Sequence, residues 1–268
     1  MNKALINQIY EFSYKYLINI SSKIISKEEI DDFINNPDVT NCNSLEGAYE
    51  LLLVILQDFQ MFPSVIKYKE RSNYIKQQIN FPDIKYIAQL DPISLSNKFK
   101  TKFGSKGIKC WINYCKGIVS GAKFLSSFND YNEFIKMCDL FNKNDMTREA
   151  FALLLKDKID NMGFAIACNW LKELGYYDYI KPDVHMKDIC QALELIDDSR
   201  DDLDCFEAMS EIAKAAGVRP YTIDKVWWLI CSGDFYRYDK KNKTPNLKKN
   251  FIEALKKKFL WIIKPPFD

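Results

Sequence analysis

Apolar and aromatic residues recur every three or four positions along nearly all of this chain, and that period is what most restricts its fold. Leu5, Ile6, Ile9, Phe12, Tyr16 and Leu17 trace one stripe; Ile166, Ala167, Trp170, Leu171 and Leu174 trace another; Met186, Ile189, Cys190 and Leu193 a third. A 3.6-residue period gathers such positions on one side of a helix, whereas a half-buried strand needs strict alternation. Gly and Pro number only nine each in 268 residues, too few to punctuate many short strands. The pattern predicts an all-α protein of roughly ten helices with short connections and no sheet.

Local signals place several helices. Ser26-Lys-Glu-Glu29 has the form of a capping box, in which the first hydroxyl and the later carboxylate each accept an amide that the helix cannot satisfy. After the polar break Asn41–Gly47, Ala48–Phe59 reads as a broad apolar helix and so as a central, buried element. Further helices are predicted at Tyr68–Gln78, Ile93–Phe99 (behind the Asp91-Pro92 cap), Trp111–Leu125, Tyr131–Leu140, Arg148–Asp157, Phe164–Leu174, Asp204–Ala216 and Thr222–Cys231. Gly104 and Gly107 separate two of them, and Gly175, Gly217 and Gly233 stand where three would end.

The eight cysteines, Cys42, Cys110, Cys115, Cys138, Cys168, Cys190, Cys205 and Cys231, contain no C-x-x-C pair and no tight Cys/His cluster. They read as reduced, mostly buried thiols, and neither a metal site nor a cofactor is expected. The start MNKALINQIYEFSYKYL lacks the hydrophobic region and small-residue cleavage site of a secretory signal. The apolar run Leu51–Leu56 is far too short to cross a bilayer, so an intracellular location, cytoplasm or nucleoid, is expected. Net charge is only +2, but its distribution is uneven: acids dominate Glu194–Glu211, and Arg237–Lys264 carries ten cations against Asp239 and Glu253. That tail is a solvated helix or a phosphate-facing patch.

Chemistry concentrates between Ile159 and His185. Around Ile159-Asp-Asn-Met-Gly163 one helix ends and another begins at once, and Asn161 and Gly163 tolerate the positive φ that so tight a turn needs. Such a turn presents first-turn amides, at Asn161, Met162, Gly163 and Ala165, where a phosphate oxygen can accept them. Downstream, Pro182-Asp183-Val-His185 sets a carboxylate just before a helix. There Asp183 acts as an N-cap, and the helix dipole favours its charged form. A fixed carboxylate in that state can stabilise the cation that develops on a sugar as an N-glycosidic bond breaks, and can orient water.

Met162-Gly-Phe-Ala-Ile-Ala167, an aliphatic helix closing at Gly175, and then Asp183-Val-His185 together resemble the helix-hairpin-helix DNA glycosylase superfamily. In that family a hairpin of the form L-P-G-[VI]-G-x-x-x-A grips the DNA backbone, and the Asp of a following D-x-H lies at the mouth of the base pocket. Gly163 and Ala167 match the hairpin's second Gly and its Ala; Asp160 and Asn161 replace its Pro and first Gly. The resemblance is nearest to the 8-oxoguanine-type glycosylases, but Ala165 stands where the bifunctional members carry their nucleophilic Lys. A methyl group forms no Schiff base, so the implied enzyme is monofunctional and uses water.

What the resemblance implies is one glycosylase-like unit over 1–268. A central helical lobe of about 48–185 would hold the hairpin 159–174, and 1–47 with 186–268 would form a second lobe, the active site lying between the two. The implied partner is double-stranded DNA with a damaged or modified base, which the enzyme flips out and hydrolyses in base excision repair. Around the base, Asn169 lies one turn after Ala165 and either reaches the pocket or faces solvent. His185 either packs or lies near the phosphate beside the flipped nucleotide. Of the adjacent Trp227 and Trp228, about 100° apart on a helix, at most one stacks on the base; the alternative is two core residues. The iron-sulfur cluster of some relatives needs four closely spaced Cys near the C-terminus, and only Cys231 lies beyond Cys205, so no cluster is expected. Two other readings stand beside the enzyme: a non-catalytic helix-hairpin-helix DNA-binding protein, and an all-helical interaction protein.

Overall fold

The computed structural model describes residues 3–37, 42–58, 62–104 and 107–263. Asn41, Phe59 and Lys264, which the sequence assigned to a break, a helix end and the basic tail, lie outside them. The described residues are almost entirely helical. In chain order the helices are α1 (Lys3–Ser21), α2 (Lys27–Asn35), α3 (Leu45–Ile55), α4 (Phe62–Ile66), α5 (Tyr68–Gln78), α6 (Ile84–Ile87), α7 (Pro92–Phe103) and α8 (Ile108–Leu125). They continue with α9 (Tyr131–Phe141), α10 (Asp145–Lys158), α11 (Phe164–Glu173), α12 (Val184–Ala192), α13 (Asp202–Ala216), α14 (Pro220–Ser232) and α15 (Leu247–Ile263). The sequence predicted fewer helices because α4 and α6 are single turns, too short to display a period, and because charge dominates α15. Beside the helices the described residues hold one minimal antiparallel pair, Asp234–Phe235 with Lys240–Lys241, too short to depart from the expected all-α fold.

The local signals act as their chemistry requires. Ser26 and Glu29 form the reciprocal capping box, and Asp91 caps α7 with Pro92 in its first turn. Gly233 ends α14 at φ +64, where an added β-carbon would stand 2.6 Å from the Asn242 carbonyl oxygen, so this turn requires glycine on two counts.

The chain divides into two compact units: residues 1–39 with 177–268, and residues 40–176. The boundary therefore falls before Asp183, which belongs with α14 and α15 rather than with the lobe of 48–185.

In the unit of residues 40–176, α3 and α8 form the centre. Tyr49 donates its hydroxyl to the Ile118 carbonyl at 2.8 Å, Tyr114 to that of Leu53 at 2.8 Å, and Trp170 its indole N–H to that of Ala48 at 3.1 Å. All three rings are fully buried, and these bonds satisfy polar tips that would otherwise be costly to enclose. In the other unit α1 packs on α13 and α14, and α12 on α13, α14 and α15. The predicted stripe of α12 is fully buried: Met186, Ile189, Cys190 and Leu193 are all inaccessible.

Candidate functional site

The hairpin between α10 and α11 is seated on α8. Ile159 and Met162 bury their side chains, at 0% and 3% exposure, while Asp160 between them faces solvent. The Asp160 amide donates to the Ser120 hydroxyl at 2.8 Å, and Ser120 in turn donates to the Lys116 carbonyl. One glycine of α8, Gly117, lets the turn approach this closely, and a second, Gly121, makes room for Leu52 of α3. A β-carbon on Gly117 would stand 2.8 Å from the Asp160 carbonyl oxygen, and one on Gly121 would be 2.4 Å from Leu52 Cδ2. At Gly117 the obstacle is backbone and moves only with the turn, whereas at Gly121 the Leu52 side chain would have to shift.

Of the two residues expected at positive φ, only Asn161 has it, at +62. Gly163 is extended, at φ −75 and ψ 167, a conformation open to any residue, so backbone freedom is not why glycine stands there. Its carbonyl accepts the amides of Ile166 and Ala167, opening α11, and a β-carbon on it would meet no atom within 4 Å. The helix start thus has open space before it and no side-chain cap. Ala165 follows in the first turn, half-buried. The side-chain nitrogen of Asn161 is enclosed and finds no hydrogen-bond partner among the described residues. Asn169 is buried at 8% exposure, which removes the solvent-facing alternative for it.

In the other unit, Asp183 caps α12 as its position predicts. Oδ1 accepts the His185 amide at 2.8 Å and the Met186 amide at 3.2 Å, and Oδ2 has no hydrogen-bond partner among the described residues. Pro182 before it is buried and fixes the approach of the chain. His185 is half-buried, and its Nδ1 is enclosed without a hydrogen-bond partner among the described residues. Burial is the main force pushing its pKa down; Asp183 opposes this, Lys248 reinforces it, and Asp188 opposes it. The imidazole is therefore biased toward its neutral form.

The paired tryptophans separate as helical geometry requires. Trp227 is 1% exposed and donates its indole N–H to the Ser13 hydroxyl at 3.0 Å. It is a core residue with no free face for a base, which corrects its assignment to the pocket. Trp228 is half-buried; it lies edge-on to Tyr236 at 5.8 Å, with the Lys225 ammonium 5.5 Å from its ring.

Sequence spacing did not reveal the charged neighbours of Asp183. Asp188 on α12 holds Arg200 through one oxygen and Lys248 of α15 through the other. Cys231 lies in the same field: burial pushes its thiol up to about 12, Lys248 counteracting and Asp183 and Asp188 adding. It stays protonated and is no thiolate nucleophile. Lys248 was one charge among ten in the tail, and nothing local in the sequence marks it as the one paired with α12. The acids of Glu194–Glu211 have a place too. Asp197, Asp198, Asp204, Glu207 and Glu211 line a groove of about 1030 Å³ with an apolar floor that includes Leu195, Ile196 and Ile252. That wall repels a phosphate backbone.

Among the described residues no cluster of three or more His, Cys, Asp or Glu is arranged to hold a metal, and no helix is long and apolar enough to cross a membrane. No protein-family model matches the sequence, and no curated protein matches it. The structure is similar to that of a Methanocaldococcus jannaschii 8-oxoguanine glycosylase/lyase in complex with a 15mer DNA containing 8-oxoguanine. The TM-score is 0.51 at 19% identity, over 81% of this chain and 95% of that one. The chain has the all-α fold of a DNA glycosylase.

Proposed function

We propose that the protein is a monofunctional DNA glycosylase, which flips a damaged or modified base out of duplex DNA and hydrolyses its N-glycosidic bond. One observation carries the reading: within this fold, one oxygen of Asp183 is fixed by two helix amides and the other is left without a partner among the described residues. A carboxylate so oriented is suited to the positive charge that builds on the sugar as the base departs, and to directing water onto the anomeric carbon. The amides of the hairpin at Asn161, Gly163 and Ala165 would receive DNA phosphates, with the open side of Gly163 supporting close approach; Met162, expected to join them, instead donates its amide to the Ile159 carbonyl at 3.2 Å and closes the turn. His185 and Trp228, in the same unit as Asp183, are the proposed base-contacting residues; Asn169 is buried in the other unit.

Hydrolysis rather than lyase chemistry follows from Ala165, which supplies no amine. The same residue favours a rival reading, a helix-hairpin-helix protein that holds DNA without cleaving it. Base release from duplexes carrying oxidised (8-oxoguanine first), alkylated, deaminated and hypermodified bases separates the two. Release by the wild type, lost in Asp183→Asn and with no borohydride-trapped adduct, is the expected result. No release across the whole panel, with duplex binding intact, would leave the rival. Absence of salt-sensitive binding would leave an all-helical interaction protein.

A further inference from the structure

Asp188 carries two cations on one carboxylate, Arg200 on Oδ1 and Lys248 on Oδ2. Each cation therefore has only a share of that carboxylate, and the next negative charge on α12 is Asp183, whose Oδ1 is engaged by the helix amides. Lys248 lies in the same electrostatic neighbourhood as Asp183, because His185 and Cys231 each feel both. Lys248 is also accessible. It lines a cavity of about 510 Å³ together with Lys249, Lys256 and Glu253, and Glu253 is paired with Lys249. The cavity wall is therefore cationic, in contrast to the acidic groove that Asp188 borders on its other side.

We infer that Lys248 binds a DNA backbone phosphate flanking the nucleotide whose glycosidic bond faces Asp183; this rests on the glycosylase reading. Asp188 positions the ammonium, and the phosphate satisfies the charge that Asp188 shares with Arg200. Lysine suits this task as a compact point charge on a flexible stem. Its contribution is to binding and register and carries no information about the base.

The test is the salt dependence of binding to a duplex containing a tetrahydrofuran abasic-site analogue, with folding checked by circular dichroism. Lys248→Met should weaken binding roughly five- to tenfold at 0.1 M salt, and should make the slope of log K against log salt shallower by about one. Lys248→Arg should keep the slope. Asp188→Asn should keep or steepen it, because it frees the ammonium for phosphate. A strut holding Asp188 would instead make Asp188→Asn and Lys248→Met alike, so that equivalence, or a wild-type slope in Lys248→Met, overturns the inference. Should Lys248→Met not fold, Asp188→Asn decides: a shallower slope overturns the inference and an unchanged or steeper one supports it. A wild type without salt-sensitive binding removes the glycosylase reading and this inference together, whereas a normal wild-type slope unchanged by Lys248→Met removes the inference alone.

Discussion

The hairpin and the start of α12 are both helix N-termini, yet they are built by opposite means. At Gly163 the helix opens with no side-chain cap and open space in front, and the turn is held from behind by packing: buried Ile159 and Met162, and Gly117 of α8, which admits the backbone. At Asp183 the amides are already taken by the residue's own carboxylate, and charged side chains crowd around it. An uncapped helix start keeps its donors for an external anion. A capped one uses its donors to fix a carboxylate. On the proposed reading the first would hold a phosphate and the second a charge against a developing cation.

The widest separation between the two should come from a pair of substitutions. Asp183→Asn should lower single-turnover base release about a thousandfold, within the range lost when a preorganised electrostatic group is removed, with duplex affinity changed little. Gly163→Ala should do the reverse, weakening duplex binding roughly tenfold, the effect of about one phosphate contact, with its melting temperature unchanged because the added methyl meets nothing in the protein. If both substitutions reduce binding and release together, the two helix starts do not have separate tasks.

This difference also explains how much could be read from the sequence. Asp183 was legible because N-capping is local: Pro before it, the stripe Met186, Ile189, Cys190 and Leu193 after it, and nothing distant required. The existence of the hairpin was legible from Asn161 and Gly163, but the reason for Gly163 was not. A glycine needed for positive φ and one that leaves space for a partner look alike in a sequence, and only φ −75 with an open β-carbon position tells them apart. Gly117 was read simply as a helix residue, because Asp160, which it admits, lies 43 positions away in the chain. The helix period sets Trp227 and Trp228 on different faces, but which of them faces the core depends on Ser13. The partners Asp188, Arg200 and Lys248 come from three separate segments, and no spacing rule connects them.

A smaller effect should come from the seat of the hairpin. Gly117→Ala drives a methyl against the Asp160 carbonyl oxygen, a backbone atom that moves only with the turn. The expected cost is about 1–3 kcal/mol, typical of overpacking, measured by urea denaturation. DNA binding should weaken in parallel if the turn must be rigid to receive phosphate. Gly163→Ala serves as the contrast, with binding affected and stability not. A Gly117→Ala protein of wild-type stability would mean that the hairpin is not held by packing on α8.

The smallest expected effect concerns His185, and it probes the charged side of the comparison. Burial lowers its pKa in the folded state relative to the ordinary value of 6.5. A depressed basic group binds its proton more weakly when folded, so the unfolded chain takes up the proton first as pH falls. The wild type should therefore have its full stability above pH 6.5 and lose part of it progressively below, as protonation is drawn to the unfolded state. In His185→Gln that part of the pH dependence should be absent. The measurement is the difference in melting temperature between wild type and His185→Gln from pH 7.5 to pH 5. If the imidazole is neutral because it is enclosed, the difference shifts against the wild type as pH falls. If Asp183 and Asp188 dominate over burial, the sign reverses and the wild type gains on acidification. That outcome would make the neighbourhood of Asp183 a site that recruits a proton rather than one that excludes it.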